Sequence, residues 1–129
     1  MTSHTVYNIF VYGSLRSGFQ SPAYEYISRF FTLVGNAKVK GKLMDMGAYP
    51  AGVPTDEERY IVGELYQIKH RNEFSWAMGQ LDDYEGVNAE EEQERLYIRE
   101  VTDVIAGDMT LQAWIYWYHG DTTGRPVIE

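Results

Sequence analysis

Residues 35–45 alternate strictly, and no other feature of the 129-residue chain restricts its fold as much. Ala37, Val39, Gly41 and Leu43 fall on one side, while Asn36, Lys38, Lys40 and Lys42 fall on the other. A period of two is the mark of a β-strand with one wet face and one dry face. Four further segments read as extended. Tyr7 to Tyr12 (Y-N-I-F-V-Y) is aromatic and β-branched and stops at Gly13. Tyr60 to Ile68, Leu96 to Ile105 and Met109 to Tyr118 follow, the last two joined by a hairpin turn at Ala106-Gly107-Asp108. Gly47 to Pro54 is turn-rich, with room for a short extended piece. A chain with this many strands must bury one face of each, so the expected class is α+β. The expected architecture is a small mixed barrel, or strongly curled sheet, of five to six strands with two short helices. The predicted core is Ile9, Val11, Leu43, Ile61, Leu65, Phe74, Ile98 and Ile115.

The first helix is signalled by Ser21-Pro22, an N-cap followed by proline at the first helical position, with Tyr24, Ile27, Phe30 and Phe31 at helical spacing. The second is predicted over Glu73 to Glu85 with Asn72 as N-cap. No repeat or linker divides the chain, and its length suits one domain over 1–129 with a loose tail from about residue 120.

Composition removes several functions. There is no cysteine, so disulfides, thiolate nucleophiles and Cys-based zinc sites are excluded. His4, His70 and His119 lack metal-ligand spacing. Eleven basic against 19 acidic residues give a net charge of -8, which argues against nucleic acid and against an anionic membrane surface. Residues 1–7 lack the apolar run of a secretory signal, and no stretch approaches the ~20 apolar residues of a membrane span. The cytoplasm is the expected compartment.

Chemistry concentrates in two places. On the second helix, at ~100° per residue, Ala77, Met78 and Leu81 fall within roughly 60° of Phe74. Glu85, eleven residues on, falls at about 20°, inside the apolar stripe. Asp82 lies near the edge of the stripe and Asp83 on the opposite, solvent side. Two environments fit a glutamate there. Gly86 can stop the helix and leave Glu85 in a frayed last turn, reaching water. Otherwise it projects into an apolar cavity, where desolvation and the negative end of the helix dipole raise its pKa as a general acid/base requires. The other place is the exit of the first strand, Val11-Tyr12-Gly13-Ser14-Leu15-Arg16-Ser17-Gly18. A strand ending in Gly-Ser frees backbone N–H groups that can hold a carboxylate or an oxyanion, though an ordinary tight turn has the same composition. It is neither a P-loop nor a G-x-G-x-x-G fingerprint.

Four segments together resemble the gamma-glutamylcyclotransferase-like superfamily, in its AIG2-like branch. V-Y-G-S-L-R-S-G resembles the opening motif, and L-D-D-Y-E-G at Leu81 to Gly86 resembles the helix-end motif that carries the catalytic glutamate. Leu96 to Val101 resembles the strand that follows, and Ala113 to Tyr118 the final strand, whose tyrosine lines the pocket. They occur in family order and span almost the whole chain. The segment from Asn88 to Glu94 departs from the pattern, with Glu90, Glu91, Glu92 and Glu94 beside the expected pocket.

The resemblance implies a transferase or lyase that releases 5-oxoproline and a free amine or amino acid from a gamma-glutamyl compound, without metal or cofactor. Glu85 is the implied catalytic residue. Tyr12, Gly13, Ser14, Leu15 and Tyr116 are the implied substrate-binding residues, with Tyr116 beside the substrate or Glu85. For Tyr97, Trp114 and Tyr116, core packing accounts equally for an aromatic side chain. Arg16 and Arg99 read as surface or ion-pair residues. The implied partner is a small-molecule substrate: a gamma-glutamyl amino acid, a gamma-glutamylamine, an isopeptide-linked lysine or a gamma-glutamyl protecting group. A binding or interaction module of the same fold without turnover is the alternative.

Overall fold

The computed structural model describes residues 6–12, 22–47, 50–85 and 97–128, and for 22, 23 and 83–85 the backbone. Five strands close a mixed barrel: β1 (Asn8–Val11), β2 (Phe31–Lys40), β5 (Tyr60–Ile68), β6 (Tyr97–Ala106) and β7 (Met109–Tyr118), in the order β1-β5-β2-β6-β7. All neighbours run antiparallel except at the closing seam, where β1 pairs parallel to β7 at Ile9 and Trp114. A smaller sheet, in the order β4-β3-β8, is formed by β3 (Lys42–Asp45), β4 (Pro50–Val53) and β8 (Val127–Ile128). Two helices, α1 (Pro22–Phe30) and α2 (Phe74–Glu85), pack together on the outside of the barrel. Among the described residues no helix is long and apolar enough to cross a membrane.

Strand alternation in the barrel creates two cores, and a third, smaller cluster joins Met44 and Ala51 of the small sheet to Tyr118. Phe10, Val39, Ile61, Leu65, Val104, Ile115 and Trp117 point inward and fill the barrel. Their neighbours Ile9, Val11, Tyr66, Ile68 and Tyr116 point outward and meet Ile27 of α1 with Phe74, Ala77, Met78 and Leu81 of α2. Strand β2 serves both layers because its register against β5 shifts between Leu33 and Gly35. An extra residue reverses the parity of a strand. Phe31 therefore faces the helices, while Ala37 and Val39 face the barrel interior.

Strands β5 and β7 have the bounds the sequence predicts, and the alternation expected over 35–45 holds from Asn36 to Gly41 but breaks in β3, where Met44 is buried and Lys42 and Leu43 are both half-buried. Four expectations need correction. Leu43 and Ile98 are half-buried rather than buried. Phe31 begins β2 instead of extending α1, because its backbone is taken up by pairing with Ile68. Asn72 caps nothing: it lies inside a 3-10 turn, Arg71–Glu73, whose Glu73 N–H bonds the His70 carbonyl at 3.0 Å. The tail is not loose to its end, since Val127 and Ile128 pair with Met44 and Leu43, and the Asp45 N–H bonds the Pro126 carbonyl at 2.8 Å.

Candidate active site

The β6–β7 hairpin has a two-residue turn, with Gly107 at a φ of 62° in its first central position. That conformation favours glycine and fits the strand twist of a tight hairpin. The turn sets the register, Ala106 opposite Met109, and seven residues further from it Arg99 stands directly opposite Tyr116. Both side chains leave the outer face of the barrel, toward α2.

There they meet Asp82. Its carboxylate is buried, and three donors reach it. Arg99 gives Nε to Oδ1 at 2.7 Å and Nη2 to Oδ2 at 2.9 Å, and the Tyr116 hydroxyl donates to Oδ1 at 2.8 Å. The two-pronged guanidinium contact matches the planar carboxylate. Side-chain exposures of 25% for Arg99 and 8% for Asp82 mark it as a shielded pair rather than a surface contact. Removing one partner of such a pair leaves a buried charge uncompensated, at a cost of about 3–5 kcal/mol. Arg99 is held from its other side as well. Its Cζ lies 4.5 Å from the centre of the Trp114 ring, and Trp114 Nε1 donates to the Val6 carbonyl at 2.9 Å.

Tyr116 also touches the opening strand. The Tyr12 hydroxyl donates to the Tyr116 carbonyl at 2.6 Å. Gly52 of β4 makes room for the Tyr12 ring: a Cβ at Gly52 would come within 2.5 Å of the tyrosine oxygen. One level of the barrel wall therefore carries Glu64 on β5, Val11 opposite it on β1, and Tyr116 and Arg99 on the far side of the seam. Glu64 is buried, and the Tyr66 hydroxyl bonds it at 3.3 Å.

Of the residues predicted for the site, Tyr12 and Tyr116 are joined by a hydrogen bond. The described partner of the Tyr116 hydroxyl is Asp82, one helical turn before Glu85. Glu85 is the last residue of α2. Its side chain lies outside the described residues, as do Gly13, Ser14 and Leu15. Arg99 is an ion-pair residue, as its sequence context suggests. Asp82 and Glu64 were not singled out. For Asp82 the signal was partial: it lies at the edge of an apolar helical stripe, but the Arg99–Tyr116 register that brings its partners follows from the two-residue turn seen in the structure. For Glu64, one charge between Gly63 and Leu65 in an otherwise apolar strand was the only sign.

The family model described as Gamma-glutamyl cyclotransferase, AIG2-like, matches residues 9–129. A protein of Methanocaldococcus jannaschii described as a putative gamma-glutamylcyclotransferase is 27% identical over 111 residues, which is 85% of this chain and 82% of that one. An AIG2-like protein from Mus musculus superposes with a TM-score of 0.68 at 20% identity, over 95% of this chain and 86% of the mouse chain. YkqA from Bacillus subtilis superposes with a TM-score of 0.65 at 24% identity over 89% of this chain, which spans 36% of YkqA. At these identities the two superpositions establish the fold.

Proposed function

Since the chain belongs to the AIG2-like gamma-glutamyl cyclotransferase family, we propose that it releases 5-oxoproline from a gamma-glutamyl compound, with Glu85 as general acid/base. The observation that carries this reading is the double engagement of Tyr116. Through its carbonyl it holds Tyr12, which leads into Gly13-Ser14-Leu15, and through its hydroxyl it holds Asp82, which precedes Glu85 by one turn. The two segments to which the chemistry is assigned are tied to one residue.

The reaction asks for placement and one proton carrier. The alpha-carboxylate and amine of the substrate bind near Tyr12 to Leu15, with Tyr116 beside them. Glu85 takes a proton from the alpha-ammonium group. The freed amine attacks the gamma-carbonyl carbon, forming the ring C–N bond. Backbone N–H groups of the loop hold the oxyanion. As the intermediate collapses, the original gamma C–N bond breaks, Glu85 returns its proton to the departing nitrogen, and the surplus proton of the ring nitrogen passes to the released amine, leaving the neutral lactam and an ammonium group. Attack within one molecule gains its rate from orientation, so a positioned glutamate is chemistry enough. The expected setting is the cytoplasm, where such small amides and amino acids occur as free solutes.

The test is a panel of gamma-glutamyl amino acids, gamma-glutamylamines and gamma-glutamyl isopeptides of lysine, assayed for 5-oxoproline. Release from at least one class is expected. No release from any, together with saturable binding, would replace this reading with that of a binding module.

A further inference from the structure

We propose that Asp82, gripped by Arg99 and Tyr116, is a positioning residue: a charge-balanced clamp that fixes the last turn of α2 and sets the electrostatic environment of the glutamate ending it. The inference rests on the reading of Glu85 as the proton carrier.

Asp82 occupies a position where packing alone would favour an apolar side chain. Its neighbours Ala77, Met78 and Leu81 are buried in the same layer. A buried ion pair is rarely more stabilising than an apolar replacement of the same size, so a role beyond packing is the better account of it. The last turn of α2 explains what that role is. It holds Asp82, Asp83 and Glu85 and no basic residue. Three carboxylates at the negative end of a helix repel one another and the dipole. The compensating cation comes from another element: Arg99 on β6, pinned between the Trp114 ring and Asp82. Asp82 and Glu85 are three apart on the helix, a spacing at which helical positions are adjacent. With Arg99 in place, the charge next to Glu85 is an ion pair that sums to zero.

Among the described residues, the other ionisable groups in this layer are Glu64 and Tyr66 on β5, Tyr116 on β7, Tyr97 on β6, Tyr26 on α1 and Tyr7 before β1. They stay constant when only positions 82 and 99 are changed.

The clamp predicts charge-signed effects. The Glu85 carboxyl can be followed by carbon NMR, assigned by its absence in Glu85→Gln. In Asp82→Asn an unpaired guanidinium remains a turn away, and the Glu85 titration midpoint falls by about one unit. In Arg99→Gln an unpaired carboxylate remains, and the midpoint rises by a similar amount. The double variant Asp82→Asn/Arg99→Gln returns it toward wild type. On a turned-over substrate, the acidic limb of the pH–rate profile moves with the midpoint, and kcat falls more than tenfold while KM changes little. If the helix end were merely loosened, both single variants would move Glu85 the same way. Midpoints that shift in one common direction, or do not shift in folded protein, overturn the clamp. Should Arg99→Gln fail to fold, the same sign is read between Asp82→Asn and the double variant. If wild type turns over no gamma-glutamyl compound, the proposed function fails, while the midpoints still decide the clamp.

Discussion

Glutamine at position 85 keeps the shape and hydrogen-bonding reach of glutamate but cannot accept the ammonium proton. Glu85→Gln is therefore expected to lower kcat on a confirmed substrate by about 10²–10⁴-fold with the fold intact by circular dichroism. Asp83→Asn, on the side of α2 that helical spacing assigns to solvent, should retain near-wild-type turnover in the same assay. A second test concerns Tyr12. A methyl group at Gly52 would meet the Tyr12 hydroxyl, and that ring is anchored on the Tyr116 carbonyl. Gly52→Ala should displace the ring and reduce kcat/KM at least tenfold, with a far smaller effect on melting temperature. At this scale Glu85 stands out in the sequence as a candidate because helical spacing places it on the apolar stripe. Asp82 stays hidden for a physical reason. Near the stripe edge, burial depends on whether a cation arrives from elsewhere, and Arg99 arrives from 17 residues further along.

Among the elements, β5 is the wall against which β1 and β2 both pair, and Gly63 lets β1 approach. A Cβ there would lie against the Val11 carbonyl oxygen and 2.7 Å from the Phe10 ring. Backbone cannot swing aside as a side chain can, so Gly63→Ala is expected to cost about 1–3 kcal/mol of overpacking and to lower the urea midpoint. Gly79 is the opposite case. It lies within α2 with nothing near its missing Cβ. Gly79→Ala should raise stability by about 0.5–1 kcal/mol in the same denaturation series. Strands with strong patterns were legible to the residue, as with β5 between Tyr60 and Ile68 and β7 between Met109 and Tyr118. The bulge at Leu33–Gly35 was not, because shifting the register leaves the apolar content of the segment unchanged. Nor was β8: two residues that pair through backbone carry almost no side-chain signature.

For the whole molecule, the barrel and the two helices follow from the sequence, but the order of the strands and the second, three-stranded sheet do not. Periodicity reports which face of a strand is dry and is silent about which strand lies beside it. The seam that closes the barrel is narrow, with a single registered pair among the described residues, Ile9 and Trp114. Side chains fasten it as well: Trp114 Nε1 bonds the Val6 carbonyl at 2.9 Å, and Asn8 Nδ2 bonds the Gln112 carbonyl at 3.1 Å. These bonds join positions 108 and 104 residues apart. Closing loops of that length early is entropically unfavourable, so β1 must wait. On a ribosome, β1 emerges long before β7, and until then its outer edge, Asn8–Val11, is an unpaired template for any passing strand. In stopped-flow experiments Trp114→Phe should accelerate unfolding and leave the folding rate nearly unchanged, as a late-forming contact does. A barrel sealed at one pair is thus a clasp: last to shut during synthesis and first to part under stress.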